Sequence, residues 1–209
     1  MSADNSYTEL GPGFSRHMWY GITIADMLKD IQTSLRTCGL DRAEALKRFR
    51  EIWNQIIRVA EVDIRKTLPT LRKIAKEVAL IPRKLELEEC AKVLIVGEIY
   101  VRRDDFAVDE LVELLSDKGI IGKASGVGEW IHYLDFVRGY RLKKRIALLP
   151  AYRRLFSKEI RELLVLNIEK AWKHRVERRV KRALQGSGLL PHTPHNMKKI
   201  MANTEKHFA

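Results

Sequence analysis

One stretch limits the fold of this chain more than any other: an apolar, β-branched run that leads through a charged loop into an amphipathic helix. The run predicts a strand over 92–99 that bends at Gly97, and the helix is predicted over about 108–118. Strand, turn and helix in this order form the first half of a βαβ unit. In such units ligands bind at the carboxyl ends of the strands. The loop after this strand is therefore the first place to expect a site.

Polar and aromatic side chains collect after both strands that the sequence predicts. The second strand is short, over 120–124, and parallel strands place their carboxyl ends at the same edge of a sheet. We therefore expect the side chains that follow the two strands to share a crevice. The candidate ligand-binding residues are Gly97, Glu98, Tyr100, Arg102, Glu129, Trp130 and Tyr133, while no catalytic residue and no metal ligand is assigned.

Each candidate also has a simpler explanation. Gly97 could merely permit the bend after the strand, and Glu98 could hold its own loop by hydrogen bonds. Arg102 and its acidic neighbours are equally consistent with a surface ion network, which contributes little to stability. Trp130 and Tyr133 could belong to the core. The sequence leaves these alternatives open.

Helices are predicted on both sides of the βαβ unit. Apolar residues recur at three- and four-residue steps over 15–37, 42–62 and 63–80, and Pro69 predicts a break near Thr67. After the second strand, helix is expected from about 142, with a break at Pro150 and one long amphipathic helix over 151–185. The apolar stripe predicted for that helix is Phe156, Ile160, Leu164, Ile168, Trp172, Val176 and Val180.

These patterns predict an α/β fold with predominant helix: a Rossmann-like βαβ half-sheet flanked by an N-terminal helical hairpin and a long, basic, amphipathic C-terminal helix. The predicted regions are a flexible lead-in (1–13), a helical region (14–84), the βαβ core (85–137), a basic helical region (138–188) and a tail with a short helix near 195–203 (189–209). A two-stranded parallel sheet buries too little surface on its own. We therefore expect further strands, or a larger protein of which this chain is a part.

The positive charge of the chain lies almost entirely in one segment. The formal net charge is +12, and residues 138–184 hold sixteen Lys or Arg against four Glu, a difference that equals the whole excess. Such a helix has two interpretations: it binds nucleic acid, or its basic residues form the solvated face of a long helix. Because aromatic residues for base stacking look scarce there, the solvated face is favoured.

The remaining sequence signals argue against a metal centre and against a membrane span. The two cysteines, Cys38 and Cys90, are too few for a metal or disulfide framework. The tail histidines His192, His195 and His207 have no further ligand at a suitable spacing. The start has no secretory signal pattern, and no apolar run approaches the ~20 residues that cross a bilayer. We expect a cytoplasmic protein that does not enter a membrane.

Residues 92–102 with 105–109 resemble a signature of the 2-hydroxyacyl-CoA dehydratase superfamily, and they are most similar to the acyl-CoA dehydratase activase-related proteins. Two flanking segments support the resemblance: Trp-Tyr-Gly-Ile at 19–22 with Ala-Asp-Met-Leu at 25–28, and Gly-Glu-Trp-Ile-His-Tyr at 128–133. The resemblance covers nearly the whole chain, from about Met18 to Phe208.

The chain departs from the family pattern at several positions. Val108-Asp109 stands where the family usually has Asn-Asp, and Asp105 stands where it usually has proline. The family's iron–sulfur ligands are cysteines, and neither Cys38 nor Cys90 falls at such a position. The family also continues beyond a tail like 189–209 into another strand and a cysteine-containing loop.

The resemblance implies a partial, non-catalytic domain of an activase-related protein in an iron–sulfur electron-transfer system that acts on acyl-CoA. The resemblance implies that this chain holds no cofactor. It also implies that the chain interacts with a protein partner or with the rest of a larger chain. One alternative is a basic helical module that binds nucleic acid. A second is a stand-alone small-molecule-binding protein or enzyme that uses the Glu98/Glu129 crevice.

Overall fold

The computed structural model describes residues 13–98, 100 and 104–191. The predicted lead-in, Arg102 and the predicted tail helix at 195–203 lie outside the described residues. The described part is mostly helical and contains a small parallel sheet, as the sequence predicts. The elements are α1 (Phe14–Cys38), α2 (Arg42–Asp63), α3 (Thr67–Ala79), β1 (Ala91–Ile95), α4 (Asp105–Asp117), β2 (Ile120–Ala124), α5 (Val127–Leu148), α6 (Ala151–Arg154) and α7 (Lys158–Leu184).

The main core lies among α1, α2, α3 and α7. Leu35 of α1, Ile74 of α3 and Val180 of α7 are completely buried in it. Burying each such aliphatic side chain stabilises the fold by roughly 1.5–3 kcal/mol. The predicted break before Pro69 is confirmed, because a 3₁₀ turn at Ile64–Lys66 separates α2 from α3.

The sheet consists of β1 and β2 in parallel, with Ala91 opposite Ile120. Helix α1 covers one face of β2, where Lys123 forms an ion pair with Asp30. Helix α4 covers the other face so closely that a Cβ on Gly122 would lie 2.8 Å from Leu115 Cδ1. The glycine in this strand therefore permits close helix packing.

Several predicted boundaries are wrong. Strand β1 ends at Ile95, not at residue 99, and α4 begins at 105 because the Asp104 side chain accepts a 3.1 Å hydrogen bond from Phe106 N. Helix α5 begins at Val127, fifteen residues before the predicted start, and it crosses the predicted boundary at 137/138. The predicted helix over 151–185 is two helices, because Ser157 caps a new helix by accepting a hydrogen bond from Ile160 N.

The predicted apolar stripe of α7 is also wrong in its first half. Phe156 precedes the helix and is 81% exposed, and Ile168 is 69% exposed. The physical reason is geometric: four residues turn a helix about 40° beyond a full circle. A stripe made only of four-residue steps therefore winds around the helix. The buried side chains of α7 are Leu166, Val176, Val180, Ala183 and Leu184.

Candidate functional site

The loop after β1 holds itself together. Gly97 has a φ of +150°, and a Cβ placed on it would meet nothing within 4 Å, so glycine is required there by the backbone angle and not by a close neighbour. Glu98 Oε2 accepts a 2.6 Å hydrogen bond from the backbone N–H of Tyr100, whose side chain is 83% exposed. This bond supports the simpler explanation of Glu98, in which the carboxylate orders its own loop.

The second group of candidates lies in the first two turns of α5. Glu129 accepts a hydrogen bond from the hydroxyl of Ser125, and Trp130 and Tyr133 are both partly exposed. The two loops meet through the backbone, where Ser125 N donates a 3.0 Å hydrogen bond to Ile95 O. The structure thus places both groups after the strands, as predicted, and Arg102 lies outside the described residues.

Neither of two clefts in the fold is lined by the predicted site residues. The first lies between α1, α4 and β2 and has a volume of about 30 Å³, room for about one water molecule. Asp30 lies on its wall, and burial raises the pKa of this carboxyl to about 6, although Lys123 opposes the shift. This cleft is too small for a substrate.

The second cleft is an apolar groove of about 360 Å³ between α1 and α2. Its size falls in the range of ligand pockets, but such pockets also carry convergent polar groups. The only charged side chain in its described lining is Glu61. The groove lies on the helical bundle, and no pattern in the sequence predicts it.

A cluster of two histidines and a glutamate joins α5 to α7. His132 Nε2 lies 2.5 Å from Glu177 Oε1, and His174 Nδ1 lies 3.1 Å from Glu177 Oε2. The two imidazole rings stack with centroids 4.7 Å apart. His132 is not among the candidate binding residues predicted from the sequence, although its side chain is only 13% exposed. The His174–Glu177 spacing of three residues on one helix was the available signal.

The middle of α1 and the start of α5 lie against each other. Asp26 accepts hydrogen bonds from the backbone N–H groups of Val127 and Gly128, at 3.1 and 2.8 Å. The buried ring of Trp19 meets His132 edge-on, with centroids 5.2 Å apart. Helix α1 therefore fixes the start of α5, and with it the position of Glu129.

A helical arm, residues 140–168, extends from the core through the end of α5, α6 and the first half of α7. Among its described side chains only Leu142 and Leu166 are buried. The arm carries eight Lys or Arg and two Glu. Its exposed apolar side chains include Leu148, Tyr152, Leu155, Phe156, Leu164 and Ile168. Exposed apolar side chains grouped in this way mark interaction surfaces in soluble proteins.

Comparisons with known proteins leave the chain without an assigned family. No protein-family description matches it, and neither a curated protein nor a solved structure matches it significantly. Among the helices that the structure describes, none has both the length and the apolar character needed to cross a membrane.

Proposed function

We propose that this chain is a non-catalytic part of a larger activase-related assembly, in which its small sheet is completed by a further strand that pairs with β1. The observation that carries the proposal is the exposure of β1. Val93 is 42% exposed and Leu94 is 49% exposed, and neighbouring residues of a strand point to opposite faces. Among the described residues, both faces of β1 are therefore open, whereas parallel sheets are normally covered on both.

The outer edge of β1 is open as well. Because Ser125 N bonds to Ile95 O, the backbone groups of Val93 and Ile95 point toward β2. Those of Lys92 and Leu94 point the other way, and in the part of the chain that the structure describes β1 pairs with β2 alone. An apolar edge strand of this kind is a template for strand addition.

The outer edge of β2, by contrast, is covered by this chain. Thr37 Oγ1, on α1, lies 3.0 Å from Ser116 Oγ of α4 and 3.3 Å from Ile120 O of β2, at this edge. Ion pairs between α1 and α4, among them Arg36 with Glu113, join the two helices to each other. Among the described residues, β1 thus offers the open edge of the sheet, and the proposed further strand pairs there.

The resemblance of the sequence supplies the identity of the partner. An activase-related protein continues into another strand and a cysteine-containing loop, and in the proposed assembly these belong to the partner or to the rest of a larger chain. The assembly would serve iron–sulfur electron transfer to acyl-CoA substrates in the cytoplasm, and the helical arm would add contact area for the same partner.

Co-expression with the product of the neighbouring reading frame that carries the cysteine-containing segment tests the proposal. We expect a stable complex in which the amide hydrogens of Lys92 and Leu94 exchange much more slowly than in the isolated chain. Leu94→Pro should abolish the complex and leave the isolated chain folded, because proline is tolerated where the strand N–H faces outward.

Val93→Pro is the matched control, since it removes a hydrogen bond between β1 and β2 and should destabilise the isolated chain itself. A complex that forms equally well with Leu94→Pro would refute strand addition. Neighbouring genes that encode no such segment would count against the activase relationship.

The second candidate function is nucleic-acid binding by the helical arm. Its supporting observation is that Tyr152 and Phe156 are exposed beside Arg153 and Arg154, so aromatic residues are better placed for stacking than the sequence suggested. A salt titration decides it: affinity for single-stranded or duplex nucleic acid should fall steeply with salt, and Phe156→Ala should weaken it. If no binding occurs at low salt, this candidate is excluded.

The third alternative, a stand-alone site that uses Glu98 and Glu129, stays a prediction from the sequence. Both carboxylates make local hydrogen bonds, and neither lines either cleft. The geometry therefore supports it least.

A further inference from the structure

Two helices bring three metal-ligating side chains together at the base of the helical arm. His132 projects from α5, and His174 and Glu177 lie one turn apart on α7. One ligand atom from each of the three lies within 4.8 Å of the others. From these positions we propose that His132, His174 and Glu177 bind a divalent transition-metal ion, with Zn²⁺ as the best fit, and that the ion joins α5 to α7.

The donor set is one that Zn²⁺ uses. Two imidazoles and one carboxylate, with water at a fourth position, form a recognised tetrahedral zinc site. Nitrogen and oxygen ligands of a tetrahedral zinc ion lie about 3.3 Å from each other, as follows from metal–ligand bonds near 2.0–2.1 Å. The ligand atoms of the cluster lie up to 4.8 Å apart, so the widest pair approaches by up to about 1.5 Å when the ion binds. Rotation of His174, the most exposed of the three side chains at 55%, provides this movement and takes its ring out of the stack on His132.

The other two ligands are held in place by their surroundings. The His132 side chain is only 13% exposed and packs against the edge of Trp19. Glu177 lies between the two imidazoles, with Oε1 2.5 Å from His132 Nε2 and Oε2 3.1 Å from His174 Nδ1. Both carboxylate oxygens therefore already face the nitrogen atoms that would share the ion.

The simpler explanation is a hydrogen-bonded cluster in which Glu177 accepts from both histidines. That arrangement also joins α5 to α7, and it does so without an ion. The two imidazole rings then stay stacked face to face. In the metal-bound form the ion replaces the shared protons. The two explanations differ in their response to Glu177→Gln, because an amide still accepts a hydrogen bond from histidine but is a poor zinc ligand.

Zinc titration of the full chain tests the proposal, with binding measured by calorimetry and thermal stability measured in parallel. The background variant replaces His192, His195 and His207 by Asn, so that tail histidines do not contribute. We expect one equivalent of Zn²⁺ to bind and to raise the unfolding temperature. Co²⁺ in its place should give the visible absorption of a tetrahedral site.

Glu177→Gln and His174→Asn should each weaken zinc binding by at least about tenfold. Losses of this size follow even when only a residue that hydrogen-bonds to a metal ligand is replaced. His17→Asn, an exposed histidine of α1 outside the cluster, is the matched control and should change nothing. Circular dichroism establishes that each variant is folded. Equal zinc binding by Glu177→Gln and the background variant, or no binding at micromolar zinc, would overturn the proposal.

Discussion

Asp26 Oδ2, on α1, accepts a 2.8 Å hydrogen bond from the backbone N–H of Gly128, in the first turn of α5. The other carboxylate oxygen accepts from Val127 N at 3.1 Å. The first N–H groups of a helix have no partner within the helix, and a negative charge at that end also interacts favourably with the helix dipole. A residue 101 positions before Val127 in the sequence thus provides the N-terminal cap of α5.

Replacing this cap should destabilise the whole chain, because it also connects the bundle to the region around the sheet. Asp26→Ala should lower the free energy of unfolding by about 1–2 kcal/mol, the usual cost of a lost cap. Asp26→Asn should cost less, since an amide oxygen still accepts one bond. Urea unfolding measures both. Asp41→Ala, which removes the local cap of α2, is the comparison, and no loss in Asp26→Ala would contradict the role of this contact.

The cap also shows why the start of α5 was mispredicted. A cap that directly precedes its helix can be recognised from the sequence, as Asp41 before α2 was, although Ser157 before α7 was missed. The residue before α5 is Gly126, which has no side chain that could accept a hydrogen bond. The acceptor is instead the carboxylate of Asp26 on α1. Periodicity alone predicted the first three helices and β2 well, because their apolar residues face one continuous core.

The candidate site shows the same difference between local features, which the sequence predicts, and contacts between distant segments, which it does not. The sequence predicted correctly that Glu98 and Glu129 follow two parallel strands, since that depends on local order along the chain. The cluster around Glu177 depends on how α5 packs against α7, which no local pattern encodes. The single-sequence signal was limited to His174 and Glu177, and a pair at this spacing is common on exposed helices.

The buried pair of Asp30 and Lys123 should make stability depend on pH. Burial raises the pKa of Asp30 from 3.8 to about 6 in the folded chain, so the native state holds this proton more tightly than the unfolded state. The contribution of Asp30 to the free energy of unfolding is fully present below pH 3.8. It is lost as the pH rises to about 6, and the loss is up to about 3 kcal/mol.

The measurement is the difference between the wild type and Asp30→Asn, by urea unfolding from pH 3.5 to pH 7. We expect the difference to change steadily between about pH 4 and pH 6 and to level off above. Because the two proteins differ only at residue 30, the pH dependence of the difference reports on Asp30. A difference that is flat with pH would show that the folded pKa is not raised.

Cys38 and Cys90 should form a disulfide under oxidation, although slowly. Their sulfur atoms lie 3.6 Å apart and both residues are buried. Burial, together with the contact to Cys90, raises the pKa of Cys38 to about 12, so little reactive thiolate exists at neutral pH. The bond would close a loop between residues 52 positions apart and raise stability by about 4 kcal/mol at most.

Mass spectrometry after treatment with diamide measures the loss of two hydrogens per chain, with Cys90→Ser as the control that cannot form the bond. The reaction should accelerate in low urea, because opening the core exposes the thiols. Rapid modification of the native chain by a thiol reagent would contradict the buried, protonated state of Cys38.

Two neighbouring apolar residues of α7 should differ sharply in their importance for folding. Leu166 is 1% exposed and packs in the arm near Gly139 of α5, whereas Ile168 is 69% exposed. Leu166→Ala should cost about 2–4 kcal/mol, as expected for a leucine in a packed site, and Ile168→Ala should change the free energy of unfolding by less than about 0.5 kcal/mol. Urea unfolding of the isolated chain measures both. If the partner covers the helical arm, Ile168→Ala should weaken the complex instead. If Ile168→Ala changes neither stability nor complex formation, the partner contacts another surface.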